Sequence, residues 1–498
     1  MAVEVGDLKD GKESLFSSIR FWFRSGGWKN PAFFGSLLAI SLGLTMAIFK
    51  FGVIAALLFI AFLMAIPLIF SFVRFPKFGI AVLLVSAFFL FFVLRLGVNF
   101  PIGTLMDAME GLLIISTLLM FRTHPDWDIF KNPIGLWVGI WAIYTILQVV
   151  NPAAASILAW LYTVRTVGTV TLMYFVFCYH IDSIAYLRLL VGLWLSLALI
   201  GALYALKQEY IGFSDREYQE LISDPLRVSL LFIDGHWRKY SIFSDPVAFS
   251  YNMVMAFFIC ISLIRYRQKY TKLVFYLLAG GICFYAMFFS GTRGAYVLIP
   301  AGLVLFFILR YNKRILWVAG IASMVLVVLI KIPTANPTLY RFQTAFEPSH
   351  DASFNVRKLN QKMIQPFIQS HPFGGGLGAT GVWGVRFAPD SFLAGFPPDS
   401  GYLRVAVEQG WIGLLLFCLM VFFILKTGID HYFLIRNKEL KSYCLAMTVI
   451  VFILGIGNYP QEAVVQFPSN ILFFLAAAII QVVKKIDDNT YRHPLNDA

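Results

Sequence analysis

Apolar runs long enough to cross a membrane recur along almost the whole chain. Crossing ~30 Å of hydrocarbon takes about 20 helical residues, and such runs follow one another from Pro31 to Val483 with two long interruptions. In lipid every backbone N–H and C=O group must be paired within the protein, so a single apolar run forms a helix; the ten-residue alternation of a membrane β-barrel is not seen. The pattern predicts an all-α, polytopic membrane protein of about fourteen helices. We place them near residues 33–49, 51–73, 79–94, 101–121, 132–150, 155–178, 187–206, 246–264, 273–290, 295–309, 315–331, 402–425, 442–457 and 469–483.

The two interruptions predict two long loops on one side of the membrane. The second loop contains Leu359, Met363 and Phe367 at four-residue spacing, opposite a basic face of Arg357, Lys358 and Lys362. This spacing predicts an amphipathic helix, perturbed at Pro366, which either lies in the membrane interface or caps the bundle. The resulting division is a polar segment at 1–30, helices over 31–206, a loop at 207–245, helices over 246–331, a large loop at 332–401, helices over 402–483 and a tail at 484–498.

Composition and charge agree with this architecture. Of the 498 residues, 59% are hydrophobic and 13% are charged, whereas a soluble domain carries about 25% charged residues. If both termini are cytoplasmic, most of the 40 Lys and Arg residues lie on cytoplasmic segments, as the positive-inside rule requires. Long outer loops carry little weight in that rule. The net charge of +13 is therefore attributed to topology and to attraction by membrane lipids, and no nucleic-acid partner is predicted. All five cysteines lie in apolar runs, so neither a disulfide framework nor a metal site is predicted, and no cofactor is expected.

Arg165 lies in the middle of the sixth apolar run. A centrally placed arginine costs about 2.5–3.5 kcal/mol on insertion scales, so it should face a cavity or a partner. Two interpretations stay open. Arg165 either binds an anion or pairs with backbone carbonyls or a carboxylate such as Asp107 or Glu110 in the fourth run.

Two outer segments offer further cations. Arg293 lies in a tight turn, Ser290–Gly294, between two short apolar runs, where a guanidinium and a helix N-terminus favour an anion. Arg238 and Lys239 precede a helix start at which Asp245 is the predicted N-cap, with proline at the first helical position. Cations from these segments could converge on one doubly charged group, for which pyrophosphate is the natural candidate.

The large loop contains a histidine followed by a glycine-rich stretch, His371–Gly378. Histidine titrates near neutral pH, and glycines let the backbone approach a ligand closely. The alternative for these glycines is a crowded turn. The stretch lacks the Lys-Ser/Thr ending of a phosphate-binding P-loop.

Polar residues also surround the start of the twelfth helix. Asp399 or Ser400 is the predicted cap, and Asp399 at the rim is a candidate proton acceptor for a sugar hydroxyl. Arg404 and Glu408, four residues apart, lie on one helix face and could form a purely structural pair. Tyr402, close to the same helix start, is a further candidate residue of the site.

Four stretches together resemble the O-antigen ligase and polymerase superfamily of bacterial envelope glycan assembly. The resemblance covers roughly residues 150–480. The matching stretches are Arg238–Pro246, Ser290–Gly294, His371–Gly378 and Asp399–Leu403, the last continued by Glu408–Gly410.

The resemblance implies a fold of the GT-C kind in the bacterial inner membrane, with a large periplasmic loop. It also implies metal-independent, inverting transfer of an oligosaccharide from undecaprenyl pyrophosphate to an acceptor hydroxyl at the periplasmic face. Arginines of such enzymes grip the pyrophosphate; Arg293 matches best, Arg238 next, and Arg165 by approximate helix position. His371 is a candidate aid to Asp399 in activating the acceptor.

Ligases of the superfamily usually carry His-Asn where this chain has Asp399-Ser400, whereas polymerases more often carry Asp. We therefore favour a polymerase of repeat units, with a chain-length regulator as a further candidate partner. A ligase that joins the glycan to lipid A-core or to protein is the alternative. A transporter of lipid-linked sugars and a scaffold subunit are alternatives from other classes, although no internal duplication of the transporter kind is seen.

Overall fold

The computed structural model describes residues 66–97, 102–233, 235–265, 268–334, 337–346 and 352–492, with scattered positions between 35 and 50. The chain divides into two units, Met1–Ser71 and Phe72–Ala498. In the first unit the described positions are helical. The predicted spans at 33–49 and 51–73 lie largely outside the described residues.

The described residues of the second unit are mostly helical, with one two-stranded antiparallel ribbon in which Phe232 pairs with Trp237. A 3₁₀ turn at Gln148–Val150 follows α4. In chain order the elements are α1 Pro76–Arg95, α2 Ile102–Thr123, α3 Asp128–Lys131, α4 Pro133–Leu147, α5 Ile157–His180, α6 Ile184–Tyr210, α7 Asp215–Ile222, α8 Pro225–Leu231, β1 Phe232–Ile233, β2 His236–Trp237, α9 Pro246–Leu263, α10 Tyr270–Phe288, α11 Arg293–Leu309, α12 Lys313–Lys331, α13 Pro337–Thr344, α14 Ala352–Ser370, α15 Gly381–Phe387, α16 Gly401–Leu434, α17 Lys438–Gly457 and α18 Ser469–Arg492.

Among the described residues, ten helices are long and apolar enough to cross a membrane: α1, α2, α4, α5, α6, α9, α10, α16, α17 and α18. The predictions of an all-α fold and of a multi-pass membrane protein are thereby confirmed. α4 reaches this length together with the 3₁₀ turn that follows it, over Pro133–Val150, whereas the apolar helix α11, with 17 residues, falls short of it. The predicted total of fourteen spans and the GT-C kind of fold stay predictions.

Several helix starts follow from local sequence. Asp245 accepts hydrogen bonds from the backbone N–H groups of Val247 and Ala248, at 2.8 and 3.0 Å, and Pro246 is the first residue of α9, as predicted. At α16 the cap is Ser400 rather than Asp399. These caps satisfy N–H groups that a helix start otherwise leaves unpaired. Asp399 is thereby left free of a capping role.

The centre of the bundle is formed by α9, α17 and α18, which are the most buried of the candidate spans. α9 packs against α10, α11 and α17, whereas α16 packs against α4 and α18 packs against α5. The segments that connect these helices at the end of the bundle where α10 turns into α11 contain Arg238, Arg293 and Asp399. We call this the loop end.

The predicted amphipathic helix of the large loop is α14. It continues through Pro366, so the predicted perturbation there does not end the helix. Asn360 and Ile364 are buried, whereas Leu359 and Met363 are each 58% exposed. Two of the three residues of the predicted apolar stripe therefore face outward, whereas Phe367 packs against a buried cluster that includes Ile364 and Val407 of α16.

Candidate active site at the loop end

The turn between α10 and α11 binds two arginines through its own backbone. Arg238 Nε donates to the Ser290 carbonyl at 2.8 Å, and one of its terminal nitrogens donates to Thr292 Oγ1 at 3.1 Å. Arg341 Nε, from α13, donates to the Gly291 carbonyl at 2.8 Å. The turn thus collects guanidiniums from two distant segments beside Arg293, the first residue of α11.

A polar cavity of about 510 Å³ opens at this turn. Arg238 and Arg293 line it together with Asp399, so three residues predicted from separate stretches lie around one space. Asn360 Nδ2 donates to Asp399 Oδ2 at 3.3 Å, which fixes the carboxylate from α14. The other lining residues are Leu230, Val247, Gly291, Thr292, Gly294, Arg341, Val356, Arg357, Pro460 and Gln461. We call this space the arginine cavity.

Among its described residues, the arginine cavity has more cationic than anionic side chains. Its described lining contains four guanidiniums and one carboxylate. Burial, together with the positive charges of Arg341 and Arg293, lowers the pKa of the Arg238 guanidinium to about 10, so Arg238 remains charged at neutral pH. Like charges held together in a partly buried space favour binding of an anion, which removes their mutual repulsion. Guanidiniums offer paired N–H donors that match phosphate oxygens.

An apolar groove of about 670 Å³ adjoins the arginine cavity. The two spaces share Arg293, Gly294, Arg357 and Pro460. The remaining wall comes from α11, α16 and α17 and is mainly apolar. Its residues are Val297, Leu298, Ala345, Tyr402, Val421, Leu425, Phe452, Gly455, Ile456 and Tyr459. We call this space the first groove. An anionic head and a hydrocarbon chain could therefore be bound side by side.

Tyr402 lies in the wall of the first groove. Its hydroxyl donates to the Gly455 carbonyl at 2.8 Å, which ties α16 to α17. Lys239, in contrast, is not among the residues that line the arginine cavity. Its ammonium pairs with Glu209 at 3.2 Å and donates to the Trp237 carbonyl at 3.0 Å. The predicted basic pair therefore separates: Arg238 faces the cavity and Lys239 stabilises the loop.

Arg404 and Glu408 form the ion pair weighed in the sequence analysis, at 3.3 Å. The structure adds Glu462, whose carboxylate lies 2.7 Å from Arg404. Thr380 of the large loop donates to Glu408 at 2.5 Å. Burial raises the pKa of the Glu462 carboxyl, while Arg404 lowers it. This network, which we call the Arg404 network, joins α16, the large loop and the segment between α17 and α18.

Arg165 lies elsewhere in the molecule. Its Nε is 3.0 Å from Asp107 Oδ2, and its guanidinium lies over the Tyr162 ring. Arg165 is not among the residues that line the arginine cavity. The carboxylate pairing weighed as the alternative is therefore present, while a role for Arg165 in pyrophosphate binding stays an untested prediction.

His371 is also absent from the lining of the arginine cavity. Its ring stacks on Phe367, with centroids 4.0 Å apart, and Nδ1 lies 2.9 Å from Ser370 Oγ and 3.0 Å from the Phe367 carbonyl. These contacts all lie at the end of α14. They hold the ring in place beside the glycine-rich stretch.

The glycine-rich stretch packs against a break in α16. Gly410 has φ 74° and ψ −179°, which interrupts the helix. Gly375 and Gly376 donate to the carbonyls of Val407 and Glu408, both at 2.9 Å, and so satisfy the groups released by the break. Gly376 has φ +95°, and a Cβ there would lie 2.5 Å from the Ala154 Cβ. The glycines thus allow the loop backbone to approach the backbone of α16 closely. This is the crowded turn that was the alternative to ligand binding.

Two of the cavity arginines, Arg341 and Arg357, were not predicted from the sequence. Arg357 was assigned to the basic face of the amphipathic helix, and Arg341 lies in a proline-rich stretch with no distinctive pattern. The available signal was their position in a long outer loop, where topology does not require cations. Among the described residues, no group of three or more His, Cys, Asp or Glu side chains could hold a metal ion.

Residues 278–418 match the family model Wzy_C, described as O-antigen ligase. The matched segment contains the turn with Arg293, the arginines of α13 and α14, and Asp399. It confirms the predicted resemblance to the O-antigen ligase and polymerase superfamily. No curated protein matches the chain.

Proposed function

We propose that this protein is a membrane glycosyltransferase that moves a glycan from undecaprenyl pyrophosphate to an acceptor hydroxyl at the periplasmic face of the bacterial inner membrane. The family match supports an enzyme of the O-antigen ligase type in general. The observation that carries the proposal is the arginine cavity, where four guanidiniums and Asp399 meet beside an apolar groove.

The four arginines bind the pyrophosphate of the donor. A pyrophosphate carries several negative oxygens, and its charge rises as the bond to the sugar breaks. Donors already in place stabilise that developing charge without reorganisation, and removing one such donor typically costs about 10²–10³ in rate. Arg238 and Arg341 are positioned for this by their hydrogen bonds to the turn. The N-terminus of α11 adds a favourable dipole.

Asp399 orients or deprotonates the acceptor hydroxyl. In the reaction the acceptor oxygen forms a bond to the anomeric carbon, the bond from that carbon to the phosphate oxygen breaks, and Asp399 takes the hydroxyl proton. Attack opposite the leaving group inverts the anomeric centre. Asn360 holds the carboxylate at the cavity wall, which is the kind of positioning that general-base catalysis requires.

The first groove takes the hydrocarbon chain of the donor. Its wall is apolar, and its polar end is shared with the arginine cavity through Arg293 and Arg357. A carrier lipid lying there would place its pyrophosphate at the guanidiniums.

We favour polymerisation of repeat units over ligation. Asp399-Ser400 replaces the His-Asn pair that is usual in ligases of the superfamily, and Ser400 is committed to capping α16. Joining of the glycan to lipid A-core or protein is the competing outcome. A chain-length regulator is a candidate partner of the polymerase.

The test is surface-glycan analysis in a deletion strain that is complemented with the wild-type protein, with Arg293→Ala or with Arg293→Lys. We expect Arg293→Ala to abolish the long-chain ladder and Arg293→Lys to restore little, because an ammonium cannot make the paired bonds of a guanidinium. Arg386→Ala, at an exposed arginine of α15 in the same loop, is the matched control and should retain the ladder.

The deletion strain separates the two reactions. Single repeats that still reach the acceptor indicate a polymerase, whereas long polymer accumulating on the carrier indicates a ligase. A normal ladder in Arg293→Ala at wild-type protein level contradicts the proposed function.

A further inference from the structure

One buried residue close to Arg238 in the chain has an unusual backbone conformation. Ser241 has φ 57°, and it is the one non-glycine residue with a positive φ in the described part of the chain. Residues with a side chain rarely adopt this left-handed region, because Cβ then lies too close to a carbonyl oxygen. Such strain persists only where the surrounding structure holds it, and it clusters at functional sites. The neighbours of Ser241 must therefore enforce its conformation.

All three polar groups of Ser241 are bound by other helices. Its N–H donates to Gln208 Oε1 at 2.9 Å, and its hydroxyl donates to the Gly201 carbonyl at 2.5 Å, both on α6. Its carbonyl accepts a hydrogen bond of 2.7 Å from Arg95, the last residue of α1. The Gln208 amide is fixed in turn, because its nitrogen donates to Glu217 at 2.7 Å. Helices α1 and α6 thus hold the buried serine in its strained conformation.

Ser241 is the second residue of a tight turn. The Phe243 N–H donates to the Tyr240 carbonyl at 3.1 Å and closes this turn, which we call the Ser241 turn. A positive φ at the second position is characteristic of the primed turn types, in which glycine, asparagine and aspartate dominate. The guanidinium of Arg95 lies over the Tyr240 ring, 4.3 Å from its centroid. Arg95 therefore contacts the first two residues of the turn, one through its ring and one through its carbonyl.

The two arms of the Ser241 turn meet at Thr292, in the turn that collects the arginines. Thr292 Oγ1 accepts a hydrogen bond of 3.1 Å from Arg238, on the arm before the Ser241 turn. The same hydroxyl donates to the Pro246 carbonyl, on the arm after it, at 3.2 Å. The conformation of the Ser241 turn therefore sets where the Arg238 backbone lies relative to the arginine cavity.

The direction of the Arg238 guanidinium depends on that backbone position. Three of its N–H groups donate to the protein: to the Ser290 carbonyl at 2.8 Å, to the Leu230 carbonyl at 3.2 Å and to Thr292 Oγ1 at 3.1 Å. A guanidinium has five N–H donors, so two remain for phosphate oxygens. Because the side chain is fixed at both ends, these two donors are aimed by the fold.

We propose that Ser241 and Arg95 are positioning residues, which act through the Ser241 turn to hold Arg238 where its two remaining donors meet the donor pyrophosphate. Neither residue is among those that line the arginine cavity. The inference rests on the proposed function and deepens it by naming residues outside the cavity that prepare it. A misplacement of about 1 Å at a reacting site can lower a rate by about 10², so the conformation of this turn affects the reaction.

A mutant cycle with Arg238 tests the proposal. Purified full-length proteins carry Arg95→Gln, Arg238→Ala or both, and binding of inorganic pyrophosphate is measured by calorimetry. Arg95→Gln should weaken binding about tenfold or more, the usual value of a hydrogen bond to a charged group. It should weaken binding little further when Arg238→Ala is already present, because the two residues act as one unit. A residue that only stabilises the fold would have the same effect in both backgrounds.

Arg310→Gln is the matched control for the loss of an arginine. Arg310 also lies at a helix end, donates to a backbone carbonyl, that of Ile264, at 2.6 Å, and lies over the Phe306 ring. It is not among the residues that line the arginine cavity. Arg310→Gln should therefore leave the affinity for pyrophosphate unchanged.

A second pair of variants changes the backbone strain without changing any charge. Ser241→Ala and Ser241→Gly both remove the hydroxyl bond to Gly201, but only glycine adopts a positive φ without steric cost. We expect Ser241→Gly to bind pyrophosphate nearly as wild type does and Ser241→Ala to bind it more weakly. This difference should vanish when Arg238→Ala is present.

Equal weakening by Arg95→Gln in both backgrounds, or wild-type affinity in folded Arg95→Gln, overturns the inference and leaves the proposed function standing. If Arg95→Gln does not fold, the Ser241 pair decides, and equal affinities of Ser241→Ala and Ser241→Gly overturn the inference. Unchanged pyrophosphate affinity in Arg238→Ala, with full glycan transfer by both Arg238→Ala and Arg293→Ala, means that the proposed function itself has failed.

Discussion

The arginine cavity and the Arg404 network are both built around guanidiniums at the loop end, yet their charge balance is opposite. Four described guanidiniums face one carboxylate in the cavity. In the network, one guanidinium lies within 3.3 Å of two carboxylates, Glu408 and Glu462. A buried charge with its counter-charges already present needs nothing further, whereas clustered like charges gain from an added anion. The Arg404 network therefore contains its own counter-charges, whereas guanidiniums outnumber carboxylates in the described lining of the cavity.

The largest expected effect concerns Arg404. Arg404→Leu leaves two carboxylates in a largely buried space without their cation, which should lower the free energy of unfolding by about 3–5 kcal/mol. The measurement is thermal unfolding of the purified protein in detergent. Adding Glu408→Gln and Glu462→Gln to Arg404→Leu should restore part of the loss. Wild-type stability in the single variant would show that the network does not hold the fold.

The second expected effect is on catalysis alone. Asp399→Asn should lower the transfer rate by about 10²–10⁴, the usual contribution of a general base. Stability should not change, because an asparagine oxygen can still accept the hydrogen bond from Asn360. Transfer is measured with purified protein and polyprenyl-linked glycan. Asp390→Asn, at an exposed carboxylate of the same loop, is the control. Full activity in Asp399→Asn would remove Asp399 from the mechanism.

The third prediction tests the excess positive charge directly. Inorganic pyrophosphate at 100 times its dissociation constant should stabilise the folded protein by about 2.7 kcal/mol, because it binds the folded state preferentially. Arg293→Ala should reduce this stabilisation, and Arg386→Ala should not. Sodium chloride at equal ionic strength controls for general screening. Equal stabilisation of wild type and Arg293→Ala would mean that the anion binds elsewhere.

The fold was largely predictable because its signals are local. In the described part of the chain, ten predicted spans correspond to ten apolar helices, because an apolar run in lipid must pair its backbone groups internally and does so as a helix. The start of α9 was equally local, with Asp245 capping and Pro246 following. The convergence of Arg238 and Arg293 could be proposed from topology. Arg238 precedes the start of α9 and Arg293 begins α11, and both helix starts are predicted on the same side of the membrane.

The rest of the site depends on tertiary packing. Arg341 and Arg357 reach the cavity only through the placement of α13 and α14, which no spacing in the sequence encodes. The glycines near His371 illustrate the same limit. A glycine-rich pattern shows that backbone must approach something closely, but the partner here is the break at Gly410 rather than a ligand.

Arg165 gives the smallest expected effect and the sharpest test of the comparison. It is paired with Asp107 at 3.0 Å, so from its charge balance we expect it to stabilise the fold rather than to bind the ligand. Because the Asp107 carboxylate already balances this guanidinium, no substrate anion is needed to neutralise it. Arg165→Gln, and Arg165→Gln combined with Asp107→Asn, should therefore keep the glycan ladder and most of the transfer rate. If Arg165→Gln folds normally yet loses transfer as completely as Arg293→Ala, then a balanced guanidinium can still serve the substrate. Charge balance alone would then no longer distinguish the two kinds of arginine in this protein.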